Sequence, residues 1–173
     1  MDPVKVRVAT VWMGGCSGCH MSFLDLDERL LDLAPLIELC YSPIADVKEF
    51  PEGVDVTLVE GALANQDHLR EIRHIRERTK ILIAFGDCAV TGNVTSMRNS
   101  MPVGDVLNTS YGDPRFGSAL GVLPVLLKEV RPLHEAVRID HFLPGCPPSA
   151  DKILELLASL LAQRPAMQEK RFG

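Results

Sequence analysis

The chain carries cysteines at positions 16, 19, 40, 88 and 146. Cys16 and Cys19 form a C-x-x-C pair inside Gly14-Gly15-Cys16-Ser17-Gly18-Cys19-His20. The glycines let the backbone turn sharply and come close to a bulky object. C-x-x-C spacing serves dithiol redox chemistry, zinc and iron–sulfur clusters alike, so the pair alone does not choose among them. The remaining thiols decide. Cys88 follows Gly86-Asp87, and Cys146 stands in Pro144-Gly145-Cys146-Pro147-Pro148, both in turn-forming contexts at the ends of apolar runs. Cys40 lies in a short apolar stretch before Tyr41 and reads as a small buried hydrophobe.

The elements that must position these thiols alternate between strand and helix patterns. Residues 4–12, rich in β-branched side chains, read as a first strand. A helix is expected over 22–34, opened by Ser22, striped by Leu26, Leu30, Leu31 and Ala34, and stopped by Pro35. Residues 37–41 and 55–59 read as the second and third strands, the third ending in Glu60-Gly61. Asn65 can cap the next helix, which turns Leu69, Ile72 and Ile75 inward and a charged face to solvent. Residues 80–85 form the most hydrophobic strand and run into Cys88. Residues 93–116 are polar and turn-prone and are expected to be a long loop, a candidate for partner contact. A helical pattern at 119–130 is interrupted by Pro124. Residues 139–143 read as a fifth strand, and Ser149 or Asp151 opens a last helix facing Ile153, Leu154, Leu156, Leu157, Leu160 and Leu161 inward.

Near-continuous apolar strands alternating with helices argue a parallel sheet covered on both faces. Five such units predict a single α/β domain over 1–173, a flavodoxin-like doubly wound five-stranded sheet of order 2-1-3-4-5. That architecture puts every ligand-carrying loop beyond the carboxyl ends of the strands. Cys16 and Cys19 then follow strand one, Glu60 strand three, Cys88 strand four and Cys146 strand five. Four thiols far apart in sequence meet at one sheet edge.

A dithiol pair would leave Cys88 and Cys146 as coincidences. Structural zinc prefers two close knuckles to one knuckle and two remote singles. A cubane is larger than one ion, and its corners suit ligands arriving from three loops. A proline directly after a ligand cysteine, as at Cys146-Pro147, recurs in ferredoxin runs. The pattern favours one [4Fe–4S] cluster. No P-loop lysine is present, and two thiols would line a flavin-phosphate pocket poorly.

With 46% apolar residues among 173 and a net charge of −5, the chain can bury a large core and offers no basic footprint for nucleic acid. No apolar run is long enough to span a membrane, and residues 1–5 carry no secretory or twin-arginine signal. A cytoplasmic location, where thiols stay reduced, is expected.

Four ordered blocks carry a family resemblance. They are Cys16-Ser17-Gly18-Cys19 with Asp25, Val59-Glu60-Gly61-Ala62, Gly86-Asp87-Cys88-Ala89-Val90-Thr91-Gly92, and Pro144-Gly145-Cys146-Pro147-Pro148. Together they resemble the small subunits of [NiFe] hydrogenases. The related cluster subunit of respiratory complex I is similar but has adjacent cysteines in its first motif. Asn93 stands where many relatives have a second glycine after Cys88, and no cysteine follows Cys146. The short form is most similar to the small subunits of soluble, bidirectional NAD(P)-linked hydrogenases. The resemblance implies one proximal [4Fe–4S] cluster on Cys16, Cys19, Cys88 and Cys146. It also implies a large subunit with the Ni–Fe centre, and diaphorase subunits with FMN, NAD(P) and further iron–sulfur clusters. Alternatives are a complex I-like cluster subunit and a stand-alone flavodoxin-like carrier. Glu60 reads either as a proton-relay or interface carboxylate, or as an acid favoured by a helix N-terminus. His20 is a candidate cluster contact or an ordinary histidine at a helix start. Trp12 and Met13 are candidates for shielding the cluster or for core packing.

Overall fold

The computed structural model of the chain describes residues 5–112 and 121–162. Five strands form one parallel sheet: β1 (Val6–Trp12), β2 (Ile37–Tyr41), β3 (Val54–Glu60), β5 (Thr79–Phe85) and β7 (His141–Leu143), in the order β2-β1-β3-β5-β7. Counting sheet strands alone, this is the predicted 2-1-3-4-5. The interior strands β1, β3 and β5 are almost wholly buried, whereas β2 at one edge is half open. Successive side chains point to opposite faces. Val8, Val56, Leu58, Ile83 and Phe85 therefore meet helices α1 (Gly18–Leu24), α2 (Arg29–Leu33) and α7 (Ala150–Ala162). Ala9, Val11, Val59, Leu82 and Ala84 meet α3 (Gln66–Arg78) on the other face.

Several elements follow the expected signals. Asn65 accepts a hydrogen bond from the His68 amide and caps α3, whose Ile72 and Ile75 are fully buried. The carbonyl of Ser149 accepts from the Ile153 amide as α7 begins, and Ile153, Leu157 and Leu160 face the core.

Three expectations are corrected. The single helix over 22–34 is two short helices, broken where Asp27 adopts a left-handed φ of 50°. Aspartate tolerates that conformation better than most side chains. Leu26 and Leu33 are buried while Leu31 is exposed, and Ser22 lies inside α1 rather than capping it. The expected loop from 93 is mostly helical: α4 (Asp87–Thr91) leads through left-handed Gly92 into α5 (Asn93–Ser96), a 3-10 turn (Met97–Ser100) and α6 (Val103–Tyr111). Its order comes from tertiary hydrogen bonds that composition does not reveal. Asn99 exchanges two bonds with the Val130 backbone, and Arg98 donates to the carbonyls of Leu127 and Ala64. Residues 113–116 lie outside the described ones. So do 119–120, but the rest of the expected helix is different: residues 126–131 form strand β6 (Leu126–Arg131), antiparallel to the short β4 (Leu63–Asn65). Leu127 and Val130 are the buried pair there, a spacing of three that mimicked a helix face.

Asp140 ties α3 to the sheet. It accepts from the Leu82 amide at 2.8 Å and from the Arg76 guanidinium at 2.5 Å. Burial alone would raise its pKa, but these hydrogen bonds and the Arg76 charge prevail and hold it below the usual value. Its stabilisation is therefore full above the unfolded carboxylate's range, near about 3.9, and is lost as pH falls through the depressed folded value. Asp140→Ala is expected to lower the unfolding free energy by about 2 kcal/mol at pH 7. In urea titrations the gap between variant and native protein narrows at strongly acidic pH.

Candidate functional site

The site is built at the row where the strands stop. Trp12 lies opposite Glu60, Glu60 opposite Phe85, and Phe85 opposite Leu143. Each chain leaves the sheet at the same level, so the loops that follow share one edge. The first loop is stitched to the third: Met13 N–H donates to Glu60 O, and Gly14 and Ala62 exchange backbone hydrogen bonds of 3.0 and 2.8 Å. A Cβ on Gly61, where φ is +88°, would run into the Gly14 backbone. The fourth and fifth loops are tied in the same way, Gly86 N–H donating to Leu143 O and Asp87 N–H to Gly145 O. Ser22 of α1 reaches across to donate its hydroxyl to Pro148 O.

These ties gather the four predicted thiols. Cys19 lies within electrostatic reach of Cys16, Cys88 and Cys146, and Cys88 within reach of Cys146 and Cys16. Cys16 and Cys146 are exposed, Cys88 is half-buried and Cys19 is buried. Burial first, then the Glu60 charge and the other thiols, push the Cys19 pKa up to about 12. Burial also pushes Cys88 up, against hydrogen bonds from Thr95 that work the other way. Among the described residues no three Cys, His, Asp or Glu groups converge at single-ion spacing. The opening is sized by glycine: a Cβ on Gly86, at φ +84°, would overlap Cys19 Sγ, and one on Gly18 would crowd Cys16 Sγ at 3.3 Å. A soft four-thiol donor set, with glycine backbone packed directly against two of the sulfurs, suits an iron–sulfur body.

Cys40 stands apart. It sits in edge strand β2, half-buried, with its thiol donating to Val8 O at 3.3 Å.

Glu60 is only 2% exposed. Its Oε2 accepts from the His20 amide at 3.0 Å and meets His20 Nδ1 as well. The carboxylate thus accepts from the first turn of α1, a helix that follows another strand, rather than from a helix that follows its own. His20 is buried, stacked on Trp12 and tilted against Phe85, and its Nε2 has no hydrogen-bond partner. Its role as the clamp on Glu60 is absent from the sequence pattern, since 40 residues separate the two. Met13 is core, whereas Trp12 is 44% exposed at the rim.

This edge has counterparts in known proteins. Residues 16–160 match the model of the family described as NADH ubiquinone oxidoreductase, 20 Kd subunit. The chain is 39% identical to the NAD-reducing hydrogenase HoxS subunit delta of Cupriavidus necator, over 95% of this chain and 86% of that one. It is 37% identical to a component of the F420-non-reducing hydrogenase of Methanocaldococcus jannaschii, over 98% of this chain but 61% of the relative. Against such F420-non-reducing relatives the chain spans little more than half their length. A chain in the crystal structure of an NAD+-reducing [NiFe]-hydrogenase in the H2-reduced state superposes with a TM-score of 0.86 at 39% identity, covering 94% of each.

Cys19 is expected to resist alkylation in the metal-free protein. At pH 8 its thiolate is scarce, so iodoacetamide should modify it about tenfold or more slowly than exposed Cys16 and Cys146. The difference shrinks as pH rises toward about 12. Peptide mass spectrometry after timed pulses reads the order.

Proposed function

The chain belongs to the family of the NADH ubiquinone oxidoreductase 20 Kd subunit, and from that membership we propose that it is the electron-transfer small subunit of a cytoplasmic NAD(P)-reducing [NiFe] hydrogenase. The observation that carries this reading is the meeting of Cys16, Cys19, Cys88 and Cys146 at one sheet edge. Each would donate a thiolate to one [4Fe–4S] cluster. Bound there, the cluster supplies one-electron transfer between a large subunit holding the Ni–Fe centre and diaphorase subunits holding FMN, NAD(P) and further clusters.

The chain's own residues do the positioning. Gly86 and Gly18 leave room for the sulfurs of Cys19 and Cys16, which pack against their bare backbone. Trp12, stacked on His20 at the rim, would shield the site from water, while Met13 packs in the core. Glu60, held by His20, sets a negative charge beside Cys19 and is the carboxylate best placed to pass a proton or orient a partner group. Exposed Trp12 and Met21 near the thiols, and Val94, Met97 and Met101 on the α5–α6 segment, are apolar surface of the kind a permanent partner covers. The likeness to an NAD-reducing hydrogenase subunit supports the hydrogenase reading over a complex I-like one. No helix among the described residues is long and apolar enough to cross a membrane.

Anaerobic purification with co-expressed large and diaphorase subunits is expected to give a nickel-containing complex that reduces NAD(P) with H2. Changing any one of the four cysteines to alanine should remove the chain's cluster signal in electron paramagnetic resonance. Zinc without iron in the folded native chain would overturn the assignment. A flavin spectrum from the isolated chain would favour the stand-alone carrier. Glu60→Gln is expected to slow turnover about tenfold or more while leaving cluster content intact, and unchanged turnover would remove its proton role.

A further inference from the structure

Two of the cluster-bearing loops are joined by a side chain that the function has not so far used. The β5–β7 ladder runs through Phe85 and Leu143 and continues one rung further, Gly86 N–H donating to Leu143 O. Beyond that point the chain after β5 turns into α4, and its backbone carbonyls point along the helix. Asp87, the first residue of α4, replaces the missing acceptor. Its amide donates to Gly145 O at 2.9 Å, and its Oδ1 accepts from Gly145 N–H at 2.7 Å. The result is a closed, two-bond ring between the residue before Cys88 and the residue before Cys146. Gly145 takes part at φ +141°, and a Cβ there would collide with Pro148 backbone.

We infer that Asp87 is a positioning residue: its carboxylate locks the Cys146 loop to the Cys88 loop and so presets the separation of the two thiols these loops carry. The inference rests on the cluster reading above and deepens it. Cys146 is exposed and lies on a loop leaving β7, a three-residue edge strand. Without the carboxylate, Gly145 N–H loses its partner, and next to Cys146 the loop keeps the Asp87 N–H bond to Gly145 O, with the Ser22 bond to Pro148 O two residues further on. A cluster that depends on four preset thiolates then has one ligand on a loosened tether.

The test uses the whole complex. In Asp87→Ala, iron release to a chelator should run about tenfold faster than in the native complex, and the reduced cluster's electron paramagnetic resonance spectrum should broaden. Asp87→Asn keeps an oxygen acceptor at the same place and should restore both readouts to near native values. A general loss of stability would not be rescued so selectively by the amide. In the native complex, the Gly145 amide should be protected from hydrogen exchange. An Asp87→Ala complex with native iron release and native spectrum, an Asp87→Asn complex as leaky as Asp87→Ala, or a Gly145 amide exchanging like an open loop would each overturn the inference. If Asp87→Ala does not assemble, the Asn variant and Gly145 exchange decide it. A native complex that lacks this chain's cluster signal in electron paramagnetic resonance would instead refute the cluster reading, and Gly145 exchange would still judge the clamp.

Discussion

Everything at the functional edge depends on the register of one parallel sheet. Trp12, Glu60, Phe85 and Leu143 lie in a single row across four strands. Parallel pairing makes all four chains exit in the same direction, and this row makes them exit at the same height. A slip of one residue in β3 would move Glu60 out of reach of the His20 amide and turn Val59 and Leu58 to the wrong faces. The register is held by packing on both sides, since β1, β3 and β5 alternate their side chains between two separate apolar layers. Thiols as remote in sequence as Cys16 and Cys146 meet because the layers leave no other alignment.

Near the edge the packing gives way to polar ties, each with a specific cause. Past the last strand residue the ladder has no partner strand, and buried amides and carbonyls need new acceptors and donors. The loops supply them to one another: Gly14 with Ala62, Gly86 with Leu143, Asp87 with Gly145, and Ser22 with Pro148. The same bonds that satisfy the backbone also fix where the cysteines stand. Glycine is needed only where these loops touch or face a thiol, as at Gly61 and Gly86. Among the described residues Glu60 is the one buried acid at this edge, and His20 is its counterpart. The surrounding burial and then the Glu60 charge hold Cys19 as a thiol.

Much of the architecture could be read from the chain. Continuous apolar runs such as residues 80–85, punctuated by glycine, are what a doubly covered parallel strand requires. The strand order followed from these runs, and the turn residues after them placed Cys16, Cys19, Cys88 and Cys146 at the ends of strands. Two of the misreadings share one reason. The helical segment after Asn93 and strand β6 are set by contacts with remote residues, not by local propensity. Leu127 and Val130 have the spacing of a helix face, yet β4 offers an unpaired edge and Pro124 denies the alternative. Residues 93–111 look like loop because their serines, threonines and asparagines favour turns. In the fold, Asn99 and Arg98 spend those polar groups on β4 and β6 instead.

By itself, then, the sequence determined the five strands of the parallel sheet and which loops hold sulfur, because periodicity and turn chemistry are local properties, and its ordered blocks carried the family resemblance. The tertiary structure alone decided that Glu60 is clamped by His20, that Asp87 binds the loop of Cys146, and that Cys19 is buried while Cys16 is open. Those facts arise from side chains 40 to 58 positions apart meeting across parallel strands. No local pattern encodes such a meeting, since it depends on register and on which face of each strand the next element covers.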